Sequence, residues 1–499
     1  MSNTVAQQFV LLPPRGIVAA GATRVALTRF FTGLENFRTT KASPRRLATI
    51  SPKAKMRVVD SIHEDGAKLV EMTPEAMTAL RAAQPGVRIV PVVYYYPAIV
   101  PRPKIEAKMK VAAAGLKISV QVVSAVDGKG VSGLDVVAFT NFASREGAQG
   151  TSNKDGVVNL ALNGASKKIE RLYVLAHHSY WSALVKAVTI KTGTKVKVEP
   201  IAFPFKDSVR HFYGEAGLAA GTGVTVGVID TGVGPHKHLS GVTGVNTVEG
   251  ESENDFEDNG DLHGTHVAGI IAARGGGGDG VRGIAPGVTL RSYRVFGKGS
   301  DGATNFAIAK AIDRAVQDGC DLINMSLAGG PQDEATHSAI SDARAAGVLI
   351  FAATGNDNRS PVSFPAAESL ALAVTAMGRK GTFPFGSSEF GDVAPPAGAD
   401  KNDFIASFSN VGPEADICGP GVGVISTVPT DRWAVMDGTS MACPAVTGAS
   451  ARLLAKHPSI LAMPRDAARS DAMAKAIFKA AKTLGFPSTM EGQGLILIT

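Results

Sequence analysis

Val224-Thr-Val-Gly-Val-Ile-Asp230-Thr-Gly-Val233 is an apolar, β-branched run of buried-strand length that ends on a carboxylate followed at once by turn residues. Further runs of this kind lie at 290–296, 321–327, 348–353 and 370–377. Between them, 303–318 carries Ile308, Ile312 and Ala315 at helical spacing, and 333–346 is rich in helix formers. Buried strands alternating with amphipathic helices predict an α/β domain over 205–499, doubly wound around a mostly parallel sheet. In such a sheet, chemistry collects beyond the carboxyl ends of the strands, which is where Asp230 falls.

Upstream the pattern differs. The first block, 1–100, reads as a small α+β unit in its second half: a strand over 56–62, a helix starting at Thr73-Pro74-Glu75 with a capping threonine and proline at its first position, and a β-rich stretch over 87–95. Pro97, Pro101 and Pro103 then interrupt regular structure, which predicts a linker over 97–112. From 113 to 201, short strands at 116–123, 134–140, 157–162, 171–176 and 185–190 alternate with turns such as Asn153-Lys-Asp-Gly156, the spacing of a β-sandwich. The 151–156 turn and the strand after it resemble carboxypeptidase-regulatory or transthyretin-like sandwiches.

Composition narrows the function classes. The 499 residues are 44% hydrophobic and 19% charged, enough apolar side chain for packed cores. The net charge of +7 is scattered and no nucleic-acid motif accompanies it, so a nucleic-acid partner is not expected. Cys320, Cys418 and Cys443 are far apart, without a CxxC pair, and read as buried small hydrophobes. No signal peptide or membrane-spanning run is recognised, so the expectation is a protein without membrane contact, cytoplasmic or exported by a non-classical route.

Three polar residues sit where an activated nucleophile needs them. Asp230 ends its strand, His263 opens the helical pattern His-Gly-Thr-His-Val-Ala-Gly with Gly264 allowing close approach, and Ser440 lies in Gly-Thr-Ser-Met-Ala-Cys-Pro at the start of a helical run. A serine hydroxyl is a poor nucleophile until an imidazole takes its proton, and a buried carboxylate fixes that imidazole's tautomer. The order Asp, His, Ser differs from that of α/β-hydrolases, and the Gly-x-Ser-x-Gly elbow is missing. A lone Asp-Thr-Gly is usually a turn, and the second such triplet of an aspartic protease is absent. His263 and His266 lack the glutamate of a His-Glu-x-x-His zinc site, and Gly275–Gly278 lacks the Gly-Lys-Ser/Thr of a phosphate loop.

With these motifs, and with Asn324-Met-Ser-Leu-Ala-Gly-Gly330, Ala353-Thr-Gly-Asn356, Phe364-Pro-Ala366 and Gly492-Gln-Gly494, the span 205–499 resembles the subtilisin-like serine protease family. The resemblance implies a serine endopeptidase that hydrolyses extended protein or peptide segments through an acyl-enzyme. Asp230, His263 and Ser440 would be the catalytic triad, Asn356 the side-chain donor of the oxyanion hole, and Ser326, Leu327 and Ala328 the segment that pairs with substrate. It also implies that residues 1–100 are a pro-domain-like block inhibiting the enzyme. The alternative is an inactive scaffold on the same fold. The family usually has serine where Cys443 stands, so that thiol is expected to pack. Seven carboxylates between Glu249 and Asp261 form either a solvated loop or a groove border on which Asp261 attracts a basic side chain next to the scissile residue. No cofactor is required; calcium is common in the family, and Asp279 is a candidate without a full ligand set.

Overall fold

The computed structural model describes residues 6–18, 29–31, 55–106, 116–162 and 167–498. The five strands expected from the apolar runs join three others in one eight-stranded sheet, in the order Thr243–Asn246, Thr289–Arg294, Thr225–Asp230, Leu322–Met325, Leu349–Ala353, Leu372–Arg379 and Asp403–Ile405, with Ile417–Pro420 also on Leu372–Arg379. Every pairing is parallel except that of Leu372–Arg379 with Asp403–Ile405. Alternate side chains of these strands enter opposite cores: Leu349, Phe351 and Ala353 face the core of helices His263–Ala272 and Thr439–Leu454, while Ile350 and Ala352 face that of Asn305–Gln317 and Glu334–Ala345. The chain leaves Thr225–Asp230 toward one edge and later crosses to its other side, so the reversal of strand order falls at Asp230. The fold is α/β and doubly wound, as expected.

The N-terminal block is an antiparallel sheet ordered Met56–Ser61, Lys68–Met72, Gln7–Leu12, Arg88–Pro91. Its helix Pro74–Ala83 starts where Thr73 caps the amide of Ala76. One face of the sheet packs on that helix through Leu11, Val58, Val70 and Leu80. The other puts Val10, Leu12, Val59, Leu69 and Val90 into the core of helices Asn305–Gln317 and Glu334–Ala345. Lys310 Nζ on Asp60 (3.0 Å) and Arg88 Nη1 on Ser338 (2.9 Å) rim that contact.

Two expectations are corrected. The β-rich stretch 87–95 splits: Arg88–Pro91 stays in the N-terminal sheet, whereas Tyr94–Pro97 becomes the middle strand of a separate antiparallel sheet between Ala303–Thr304 and Leu327–Ala328. The first part of the expected linker is therefore structured; Pro97 is tolerated because it ends a four-residue strand. Residues 107–112 lie outside the described residues.

The β-sandwich pairs a four-stranded sheet, ordered Ala183–Thr189, Lys168–Leu175, Asp135–Asn141, Glu146–Thr151, with a three-stranded one, Thr194–Val198, Leu116–Ser124, Val157–Leu162. Its segment 179–184 docks on the body that carries the eight-stranded sheet. Ser179 donates to the carbonyl of Trp433 (2.8 Å), Leu184 to Gly386 (3.0 Å), and Ser388 returns a bond to Ser182 (2.9 Å). Trp181 is the anchor, 2% exposed and edge-on to Phe205 at 5.4 Å. No helix among the described residues is long and apolar enough to cross a membrane.

Because Trp181 is buried across the junction, Trp181→Ala should cost about 3–5 kcal/mol and lower the urea midpoint of the main transition. An unchanged midpoint would show that the anchor carries no stability.

Candidate active site

Asp230 and His263 meet at the carboxyl end of the central sheet. His263 Nδ1 and Asp230 Oδ1 are 2.7 Å apart, each side chain about 1% exposed, and the same oxygen accepts the amide of Thr231 (2.7 Å). Gly264 lets the helix come in this close: a Cβ there would stand 2.3 Å from the carbonyl oxygen of Gly232. With Nδ1 given to the carboxylate, Nε2 is the nitrogen left to accept a proton, and it is buried without a partner among the described residues. Burial pushes the His263 pKa down, but the Asp230 charge, its hydrogen bond, and the carboxylates of Asp261 and Asp258 outweigh it and leave the pKa raised.

Ser440 stands in the first turn of Thr439–Leu454, where backbone amides lack helical acceptors. Its amide donates to the carbonyl of Ala98 (2.9 Å), so the segment that threads between the two short strands ends with a carbonyl on the Ser440 amide. The amide of Ala98 donates to the carbonyl of Ser326 (3.1 Å), and that of Val100 to Asp437 (3.0 Å). Gly438 is required by this path: a Cβ there would lie 2.6 Å from the Ala98 oxygen. The Ser440 hydroxyl donates to the Ser326 carbonyl (2.9 Å) rather than to His263, so a turn about its Cα–Cβ bond is needed to bring it under Nε2.

Asn356 faces the same point. Its Oδ1 accepts the amide (2.9 Å) and the hydroxyl (3.0 Å) of Thr439, which fixes which end of the side-chain amide is oxygen. Its Nδ2 is buried and has no partner among the described residues, a donor available to a negatively charged oxygen. Thr439 was not singled out in the sequence, since nothing local marks a threonine as the donor that orients a distant side-chain amide.

The remaining expected residues separate. Leu327 and Ala328 pair with Pro97 and Tyr96, and Ser326 bonds Ala98, so the three line the threaded segment. Asp261 is exposed at the rim, near enough to His263 to raise its pKa. The acidic loop is partly neutralised from outside, by Arg294 on Glu251 (2.5 Å) and Lys298 on Asp255 (2.6 Å). His266 is buried, its pKa lowered to about 3 chiefly by desolvation, and lies 3.2 Å from the Ala434 carbonyl, as a packed neutral imidazole does. Cys443 is buried with its thiol pKa pushed up by desolvation, which suits packing and not nucleophilic attack. Asp279 faces Lys237 Nζ at 2.7 Å and His238 Nε2 at 3.5 Å.

The model of the subtilase family matches residues 221–495, leaving the N-terminal sheet and the sandwich outside the match. Subtilisin DY of Bacillus licheniformis is 38% identical over 247 residues, 48% of this chain and 80% of the relative. Subtilisin BL of Lederbergia lenta is 39% identical over 240 residues, covering 48% and 79%. Alkaline elastase YaB of Bacillus sp. (strain YaB) is 39% identical over 239 residues, covering 48% and 56%.

Since a negative charge at Asp261 helps hold the proton on His263, Asp261→Asn should lower the His263 pKa, as followed by NMR titration of the labelled imidazole. A titration that does not move would mean that solvent screens Asp261 completely.

Proposed function

Because the chain belongs to the subtilase family and is a serine-type endopeptidase, we propose that Asp230, His263 and Ser440 are its triad, that Asn356 and the Ser440 amide form its oxyanion hole, and that the bond Ala98–Ile99 is its first substrate. The observation that carries this reading is the Ala98 carbonyl on the Ser440 amide, beside a buried Asp230–His263 pair whose Nε2 is free.

The chemistry draws on protein groups alone. Ser440 Oγ attacks the Ala98 carbonyl carbon while its proton passes to His263 Nε2. The oxygen, now an anion, is held by the Ser440 amide and Asn356 Nδ2, donors already in place and shielded from water. His263 gives its proton to the nitrogen of Ile99 as the carbon–nitrogen bond breaks, leaving Ala98 esterified to Ser440. A water then loses a proton to His263 and attacks the ester, and Ser440 leaves with that proton. The base must be neutral, so activity is present above the raised pKa of His263 and is lost as pH falls through it.

In this reading the chain is a zymogen, and the N-terminal block inhibits by occupying the cleft with residues 94–98. External substrates are extended segments that add a strand between Ala303–Thr304 and Leu327–Ala328 in the same way. Asp261 at the rim favours a basic side chain beside the scissile residue, where the internal segment carries Pro97.

Wild-type protein should release a fragment ending at Ala98 and one beginning at Ile99, while Ser440→Ala stays intact; mass spectrometry reads both. A fluorophosphonate should label only the chain that keeps Ser440. Intact, unlabelled wild type would favour the scaffold reading. Asn356→Ala should lower kcat by about 10²–10³-fold, the loss known for removing such a donor from subtilisin.

A further inference from the structure

Three tyrosines run consecutively into the cleft, and the fold treats them differently. Tyr94 and Tyr96 are 47% and 50% exposed, whereas Tyr95 between them is 0% exposed. Strand alternation sends its ring inward, into the apolar cluster that holds Ala303, Phe306, Leu327 and Phe364, with the Phe364 centroid 6.0 Å away. All of these partners belong to the subtilase body and not to the N-terminal block.

The far end of this cavity is polar. The Tyr95 hydroxyl donates to Asp333 Oδ2 and lies 3.2 Å from the carbonyl oxygen of Pro331. Asp333 is itself buried, and its two oxygens divide their work: Oδ1 accepts Asn305 Nδ2 (3.1 Å) and the amides of Ala335 and Thr336 (2.9 Å each), capping the helix Glu334–Ala345. That leaves Oδ2 for the occupant. Burial, then the Asp333 charge, push the Tyr95 pKa up, so the phenol keeps its proton and is the donor.

We propose that this cavity is a tyrosine-reading subsite of the protease, with Asp333 as its specificity-determining residue, so that preferred substrates carry tyrosine three residues before the residue whose carbonyl is attacked. The proposal rests on the cleft reading given above and adds the side chain that the cleft selects. When the N-terminal strand departs, water can reach Oδ2. A substrate tyrosine replaces that water with a charge-assisted hydrogen bond, whereas phenylalanine fills the apolar walls and strands a desolvated carboxylate oxygen. Sites built to bond a hydroxyl reject the analogue that lacks it far more strongly than purely apolar pockets reject a change of size.

The test uses the purified full-length protein after it has processed itself, and quenched peptides Xaa-Tyr-Pro-Ala-Ile-Val in which Xaa is Tyr, Phe, 4-methoxyphenylalanine or Lys. Wild type should cleave the Tyr peptide with kcat/KM about 10- to 100-fold above the Phe peptide, with the methoxy and Lys peptides also poor. Asp333→Ala should bring the Tyr/Phe ratio to about one, mainly by losing rate on Tyr. Asp333→Asn retains a capping oxygen and a neutral acceptor, so its ratio should fall between the two, and the Phe rate reports whether each variant is folded. A wild-type ratio near one, a ratio that survives Asp333→Ala, or a preference for Lys would overturn the subsite while leaving the protease reading intact. No cleavage of any peptide by wild type would remove both. If Asp333→Ala does not fold, the wild-type series and Asp333→Asn decide the matter.

Discussion

The cleft depends on an unmet demand for hydrogen bonds. Ala303–Thr304 and Leu327–Ala328 are two-residue strands that face each other across a gap and pair with Tyr94–Pro97 rather than with each other. Their inward amides and carbonyls need a third strand, and an extended chain is the one shape that supplies donors and acceptors to both sides at once. In the proposed reading, the same demand that draws the chain's own segment into the gap admits a substrate. Backbone pairing positions the segment, and the side-chain pockets select it. Register then places one carbonyl, that of Ala98, on the Ser440 amide.

The electrostatics of His263 follow from that geometry. His263 is buried, which alone would keep it neutral and weak, and three carboxylates on nearby segments reverse the effect. Asp230 acts by contact, whereas Asp258 and Asp261 act through space from the acidic loop. The loop that reads in the sequence as a run of like charge is thus divided in the fold. Part is neutralised by Arg294 and Lys298, and its last members keep their field on the imidazole. Like charges clustered beside an imidazole are costly to fold together: desolvation, then the charges of Asp261 and Asp230, raise the pKa of Asp258 against the amides of Gly260 and Leu262 that bond it. The compensation is a proton acceptor of greater basicity.

Much of this was legible before any coordinates. The strand ending at Asp230, the helix opening at His263 and the helical run after Ser440 each carry a local signal: an apolar run of strand length, a helical period, a glycine at the point of close approach. Five strands of the eight-stranded sheet follow from the same periodicities, while Thr243–Asn246, Asp403–Ile405 and Ile417–Pro420 are too short to stand out. What sequence reading missed has no local signal. Tyr94–Pro97 is a strand whose partners lie more than two hundred residues away and whose proline argues for a linker. In the sequence Asp333 only opens a stretch rich in helix formers; that it caps the helix, and that its second oxygen meets Tyr95 from another part of the fold, shows only in the structure. Gln7–Leu12 is not read as a strand, because the two neighbours that make it one, Lys68–Met72 and Arg88–Pro91, come later in the chain.

The position of the sandwich bears on how inhibition ends. In the proposed scheme, scission after Ala98 leaves the sandwich joined to the protease by its own chain and by Trp181, while the N-terminal block keeps only non-covalent contacts. That block shares its core. Val10, Leu12, Val59, Leu69 and Val90 pack against the helices of the protease, and only the opposite face is covered by its own helix. A block of this size has little apolar surface to spare, so once it dissociates, an uncovered face lowers its stability. Each departure from the cleft therefore favours unfolding of the inhibitor and makes a return less frequent. Inhibition built on a shared core weakens itself once the covalent link is cut, whereas a self-sufficient block of the same size would rebind indefinitely.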